Sequence, residues 1–201
     1  MVTEKALEKI LQEGRERGLY ENAFLQVFGA EEVVYAGRAG RATAASLFDV
    51  ASITKVFTAL LVGALVLERR LDDQFRVGDF FPGRVSGPLS LVTVEELLSH
   101  TSGLPSWVPL YEEVMNGEGR FTVSPAEKRR ETILERLLTL SLESPPGEEI
   151  RYSDAGYILL GFLLERGTGK SLKELLRKKI TEPLRLMDTG FTPLDEVPHC
   201  D

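Results

Sequence analysis

Apolar and polar positions follow a regular pattern in the first forty residues. The apolar positions that share one face of a predicted helix over residues 3–18 are Ala6, Leu7, Ile10 and Leu11. Thr3 is a candidate N-cap for that helix. Residues 23–28 and 33–36 are rich in strand-forming side chains and flank a turn at 29–32, so they predict a β-hairpin.

The longest uncharged stretch covers residues 56–67. This stretch is too short to cross a bilayer, because a membrane helix needs about 20 apolar residues. It instead predicts a helix that begins near Ser52, ends by Arg70 and is buried on most sides. Residues 47–50 are predicted to be an extended approach to that helix.

The chain beyond Arg70 is predicted to be mostly helical, with turn-rich breaks. Residues 71–90 hold several Pro and Gly turns, and Thr93 with Glu96 forms a capping box for a short helix. Three further helices are predicted, over residues 124–141, 155–166 and 171–181. Residues 116–119 are predicted to be a mobile loop tip. This order is poor in strands, which is unusual for a complete α+β domain.

Composition excludes several classes of function. The formal net charge of −7 argues against a nucleic-acid partner, which usually requires a basic face. The single cysteine, Cys200, excludes an intramolecular disulfide, and the N-terminus has no signal-peptide pattern, which favours a cytoplasmic protein without a membrane anchor. His199, Cys200 and Asp201 lack a fourth ligand for zinc, so no metal or cofactor is expected.

Candidate chemistry begins with Ser52 and Lys55. A serine hydroxyl is a poor nucleophile near neutral pH and needs a base within hydrogen-bond reach. Residues three apart share one face of a helix, so the spacing predicts the Lys55 amine beside the Ser52 hydroxyl. The pKa of that amine should fall through burial and the helix dipole, and apolar Ile53, Val56 and Phe57 are consistent with such burial.

Tyr152 is the second candidate proton acceptor. A lysine ammonium close to a phenol favours the phenolate, so a loop that brings Tyr152 to Ser52 would let it share the proton. The backbone N–H of Ser52 is a candidate oxyanion donor. The alternatives are an N-cap serine with a surface lysine, a loop tyrosine, and Asp154 as the N-cap of the helix that follows. His100 lies in a helix-ending turn, and we interpret it as structural, bonded to free carbonyls.

Several motifs resemble those of the serine β-lactamases and penicillin-binding proteins, most closely the class C-like branch that includes esterases and D-amino-acid peptidases. In order, the matching segments are FDVASITK at 48–55, LLSHTSGLP at 97–105, PG at 146–147, YSDAGY at 152–157, EPL at 182–184 and MDT at 187–189. They extend over nearly the whole chain, so the resemblance is specific.

The resemblance implies an α+β, β-lactamase/transpeptidase-like fold, with an antiparallel sheet flanked by helices and a helical lobe. It implies Ser52 as the acylated nucleophile, Lys55 as its base and Tyr152 as a second base. Asp154 takes the position of an asparagine that binds the substrate amide in this family. An ionised carboxylate can only accept hydrogen bonds, which moves the expectation toward an esterase-like or peptidase-like member.

The family also has a third motif, a Lys- or His-x-Gly on a later strand, which this span does not contain. We therefore expect residues 1–201 to be the N-terminal part of one domain, with C-terminal strands missing. Its expected parts are a helix and hairpin (1–51), a nucleophile helix (52–70) and a mostly helical lobe (71–201). Either an oligomer or the missing segment would complete it.

The predicted function is a serine hydrolase that forms an acyl-enzyme at Ser52 on a small ester, amide, β-lactam or D-peptide. The alternative is a non-catalytic or penicillin-sensing module of the same fold. Asp154 is the predicted substrate-binding residue. The only partner expected of the catalytic form is a small-molecule substrate.

Overall fold

The computed structural model describes residues 3–115 and 126–191. By their contacts the residues group into two compact units, Met1–Asp49 and Val50–Asp201. The membership of both units in a single domain stays a prediction. In the described part of the chain, no helix combines the length and the apolar character that a bilayer crossing requires.

The first unit is a helix with a β-hairpin. Helix α1 spans Glu4–Glu16, and the Thr3 side chain caps it by accepting from the Ala6 backbone N–H. Strands β1 (Ala23–Phe28) and β2 (Val33–Ala39) pair antiparallel. The predicted helix, cap and hairpin are confirmed, and β2 continues three residues beyond the predicted end because its pairing with β1 reaches Ala39.

The second unit is built around helix α2, Thr54–Leu67, which a 3₁₀ turn at Ala51–Ile53 precedes. The prediction that α2 is buried on most sides is confirmed. Leu61 is fully buried, and the exposed side chains of Leu60 and Leu67 share one face of the helix. The uncharged sequence therefore marks a helix that leaves a single face exposed.

Further helical segments follow in the part of the chain that the structure describes. They are α3 (Val77–Phe80), a 3₁₀ turn (Pro88–Leu91), α4 (Val94–Leu98), α5 (Ala126–Leu138), α6 (Asp154–Thr168) and α7 (Leu172–Leu176). The capping box of Thr93 and Glu96 is confirmed, with N···O distances of 3.1 and 2.8 Å. The predicted helix over 171–181 is instead α7 followed by a π-helical turn at Arg177–Thr181. Residues 116–119 and the predicted start of α5 lie outside the described residues.

The core of this unit forms around α6. Leu159, Leu160 and Leu163 have no exposed surface, and they belong to one apolar cluster that takes in side chains of α2, α4, α5 and α7. Burying a leucine side chain contributes about 2 kcal/mol, so this cluster holds the N-terminus of α6 firmly. The loop before α6 carries Tyr152, and the first residue of α6 is Asp154.

Candidate active site

Ser52 and Lys55 lie at the junction between the 3₁₀ turn and α2. The Lys55 Nζ is 3.3 Å from the Ser52 Oγ, as the three-residue spacing predicts. Ser52 belongs to the 3₁₀ turn, whereas we predicted the first turn of the α-helix. The preceding residue, Ala51, has a φ of 43°, a left-handed conformation that costs an alanine about 1–2 kcal/mol. Strain of this kind is typical of a backbone that is held in place for function.

Asp154 reaches Lys55 from α6. Its Oδ1 lies 2.5 Å from the Lys55 Nζ, across 99 positions of sequence. The alternative in which Asp154 is the N-cap of α6 does not hold, because the Ser153 side chain accepts from the Gly156 N–H and so takes that position. Asp154 is left free to direct its carboxylate at the lysine.

Tyr152 lies beside the same ammonium. The Lys55 Nζ is 4.8 Å from the centroid of the Tyr152 ring, and the tyrosine is half exposed. Hydrogen bonds with Lys55 and then Ser52 lower the pKa of the Tyr152 phenol. This direction agrees with the predicted shift toward phenolate.

The pKa of Lys55 shifts in the opposite direction to the one predicted. Burial alone would lower it, but the hydrogen bonds and charges of Asp154 and Tyr152 outweigh burial, so the pKa is raised above its ordinary value. The expected apolar cover is also thinner than predicted, since Ile53 and Val56 are more than half exposed. Lys55 is therefore an ammonium in this arrangement, not a ready base.

The His100 ring lies against the rings of both Tyr152 and Tyr157. The His100 ring centroid lies 4.7 Å from that of Tyr152 and 4.8 Å from that of Tyr157. The His100 Nδ1 accepts from the Ser153 backbone N–H at 3.1 Å, whereas we predicted that His100 would donate to free carbonyls. Burial, followed by the charge of Lys55, lowers the pKa of His100, so the neutral ring is favoured.

Tyr157 is a further residue of the site, and the sequence alone predicted no role for it. Its hydroxyl donates to the Leu98 carbonyl at 2.9 Å, and its ring centroid is 6.0 Å from the Lys55 Nζ. The spacing of three residues from Asp154 would have indicated a shared helix face. The side chains that meet at Lys55 therefore come from α2, from α6 and from the loop before α6.

A cavity of about 570 Å³ opens beside Ser52 and Lys55. This volume is within the range of small-molecule sites, which is about 300–1,000 Å³. Trp107 and Tyr111 are among the aromatic residues that line the cavity.

Comparison with known proteins identifies the family of this chain. The sequence profile described as Beta-lactamase matches residues 5–199. The chain belongs to the beta-lactamase family. The predicted family is thus confirmed from nearly the full length of the chain.

Relatives of this beta-lactamase family member include the N-acetylmuramyl-L-alanine amidase of Bacillus subtilis strain 168. It is 32% identical over 158 residues, which cover 75% of this chain and 34% of the relative. The chain thus spans about a third of the length of the curated relatives it matches, among them proteins of Escherichia coli and Staphylococcus aureus.

Solved structures confirm the predicted fold. The octameric penicillin-binding protein homologue from Pyrococcus abyssi is 28% identical with a TM-score of 0.76, and the match covers 90% of this chain and 43% of that one. A class C beta-lactamase is 20% identical, also with a TM-score of 0.76, and the match covers 96% and 52% of the two chains. At 20% identity, the match to the class C beta-lactamase shows only that the two proteins share a fold.

Proposed function

We propose that this protein is a serine hydrolase that forms an acyl-enzyme at Ser52 on a small ester or amide. The observation that carries the proposal is the meeting of Ser52, Lys55 and Tyr152 beside a cavity that Ser52 and Lys55 line. Membership in the beta-lactamase family, with an amidase and a penicillin-binding protein homologue among its relatives, supports this class of chemistry.

In the proposed acylation step Tyr152, as phenolate, takes the proton of the Ser52 hydroxyl. The Ser52 Oγ then forms a bond to the substrate carbonyl carbon. As the tetrahedral intermediate collapses, the bond to the leaving group breaks, and the Tyr152 phenol returns the proton to the departing oxygen or nitrogen. The products are a free alcohol or amine and an ester on Ser52.

Deacylation repeats the same proton transfers with water. Tyr152 takes a proton from water, the hydroxide adds to the ester carbonyl, and the Ser52 oxygen leaves and regains its proton from Tyr152. The acid is released and the free serine is restored. Lys55 stays charged throughout, held by Asp154, and stabilises the phenolate. The Ser52 backbone N–H remains the proposed oxyanion donor.

The two pKa shifts support Tyr152 as the proton acceptor. A general base must be unprotonated before it can accept a proton, and the pKa of Tyr152 is lowered whereas that of Lys55 is raised. Tyr152 therefore takes the role that the family resemblance shares between the two residues. Asp154, bonded to Lys55, is proposed to set the charge of the site and to face the substrate amide.

The test is covalent labelling and turnover by the full-length protein. A fluorophosphonate should form one adduct, mapped by mass spectrometry to Ser52, and a chromogenic ester should be hydrolysed repeatedly. Ser52→Ala should abolish both, whereas Ser86→Ala, a change at an exposed serine outside the cavity, should alter neither. Labelling at a serine other than Ser52 would refute the proposal.

The second candidate is a penicillin-sensing module that acylates without turnover. The observation that favours it is the carboxylate of Asp154 beside Lys55, where the family has an asparagine, since an ionised carboxylate cannot donate a hydrogen bond to position a substrate for turnover. A stoichiometric adduct on Ser52 without released product would support the sensor, and multiple turnovers would exclude it. The predicted cytoplasmic location is a separate proposal, which fractionation of the native cells tests.

A further inference from the structure

The cavity beside Ser52 continues as a groove along one face of α6. Its α6 wall is formed by side chains at helical spacing, namely Asp154, Ala155, Ile158, Phe162 and Glu165. Eleven positions separate the first from the last of these residues, and at 1.5 Å per residue the groove is about 16 Å long. The reacting serine lies at one end.

The middle of the groove is apolar. Opposite α6 it is bounded by Thr58 of α2, Ile133 of α5 and the loop residues Val108 and Leu110. Ile158 is 41% exposed, so the helix presents an apolar side chain that no described residue covers fully. Contact between such walls and an alkyl chain removes apolar surface from water.

Charged side chains among the described lining residues occur only at the two ends, and each has a partner. Lys55 pairs with Asp154 at the serine end. Arg130 pairs with Glu165 at the far end and lies 5.1 Å from the Phe162 ring centroid. Glu165 also accepts from the Leu172 backbone N–H at 2.8 Å. The far end is thus neutral overall and has little to offer a charged substrate terminus.

We propose that this groove binds the acyl part of the substrate, and that this part is an unbranched, uncharged alkyl chain. The inference rests on the proposed function, because the groove begins at the serine that would carry the acyl group. Three backbone bonds span 3.3–3.6 Å, so an extended chain advances about 1.2 Å per bond. The apolar part of the groove runs from Ala155 to Phe162, about 10 Å along α6, and holds about nine bonds or ten carbons. Octanoyl and decanoyl esters are therefore the best-fitting substrates.

The first experiment measures kcat/KM of the full-length protein for 4-nitrophenyl esters of acetate, butyrate, octanoate and decanoate. Burial of one methylene favours binding about two- to fourfold, so kcat/KM should rise at least tenfold from acetyl to octanoyl. An ester of octanedioic acid, which carries a terminal carboxylate, should react more slowly than the octanoyl ester. A flat series, or a preference for the carboxylate, would overturn the inference.

Variants locate the effect in the groove. Ile158→Trp, which fills the middle of the groove, should lower the octanoyl-to-acetyl ratio of kcat/KM at least tenfold, whereas Ile158→Leu should keep the ratio. Leu91→Trp places the same large side chain at an exposed position outside the groove and should leave the ratio unchanged. Far-ultraviolet circular dichroism checks that each variant is folded. An unchanged ratio in folded Ile158→Trp would contradict the proposal.

A binding measurement separates this inference from the proposed function. Ser52→Ala cannot form an acyl-enzyme, yet calorimetry should detect octanoate binding to it, and Ile158→Trp should weaken that binding at least tenfold. Octanoate binding without any ester hydrolysis would leave the groove in place and reject the hydrolase. Ser52-dependent hydrolysis without octanoate binding or chain-length preference would reject the groove alone.

Discussion

Asp154→Asn removes the charge that holds Lys55 while keeping the size of the side chain. A hydrogen bond to a charged group contributes about 1.5–3 kcal/mol, and the Lys55 Nζ lies 2.5 Å from the Asp154 Oδ1. The Asp154 side chain is 42% exposed, so water screens the pair and about 1–2 kcal/mol remains. This interaction favours the ammonium, so its loss should lower the pKa of Lys55.

The direction in which Asp154→Asn shifts the pH profile of activity follows from the protonation states of Tyr152 and Lys55. The active form needs Tyr152 as phenolate and Lys55 as ammonium, so activity should rise as Tyr152 loses its proton and fall as Lys55 loses its own. Asp154 raises the pKa of Lys55 and, through its charge, opposes the lowering of the Tyr152 pKa. Its removal should move both limbs of the profile to lower pH, and the alkaline limb should move further because Asp154 is bonded directly to Lys55.

The assay is kcat/KM for a chromogenic ester as a function of pH, measured on the full-length protein. Asp188→Asn removes the same charge from an exposed turn outside the cavity and should leave both limbs in place. An alkaline limb that stays within about 0.3 unit in Asp154→Asn, or that moves to higher pH, would refute the proposed role of Lys55 as the retained cation.

Three further predictions concern stability, each measured by denaturant unfolding of the full-length protein. The pKa of His100 is lowered in the folded protein, so its contribution to stability is complete above the ordinary histidine pKa of about 6.5 and is lost as pH falls through the folded pKa. His100→Phe should flatten this dependence of stability on pH. An equally steep loss of stability in the variant would contradict the prediction. Leu160→Ala should lower the free energy of unfolding by about 2–5 kcal/mol, because Leu160 has no exposed surface. Leu67→Ala, at a control position that is 87% exposed, should lower it much less. Similar losses in the two variants would argue against this core. Gly103→Ala combines a φ of +75° with a Cβ that would lie 2.0 Å from the Ser144 carbonyl oxygen, whereas Gly83→Ala has a positive φ without such a contact. The free energy of unfolding should therefore fall by about 1–2 kcal/mol in Gly83→Ala and by more in Gly103→Ala. Equal losses would show that the contact relaxes freely.

Much of the fold was predictable because its signals are local. The Thr3 cap, the β1–β2 hairpin and the capping box of Thr93 and Glu96 each depend on residues within a few positions of one another, and each is confirmed. The distance between Ser52 and Lys55 is likewise a consequence of helical spacing. Such features follow from backbone geometry, which differs little from one protein to another.

The charge state of the site was not predictable in this way. Burial near apolar residues predicted a lowered pKa for Lys55, and burial does act in that direction. The sign is reversed by Asp154, which the packing of α6 within the apolar core brings to Lys55 across 99 positions of sequence. The same packing shapes the groove beside Ile158. Coulomb interactions depend on distances between groups remote in sequence, and those distances exist only once the helices have packed.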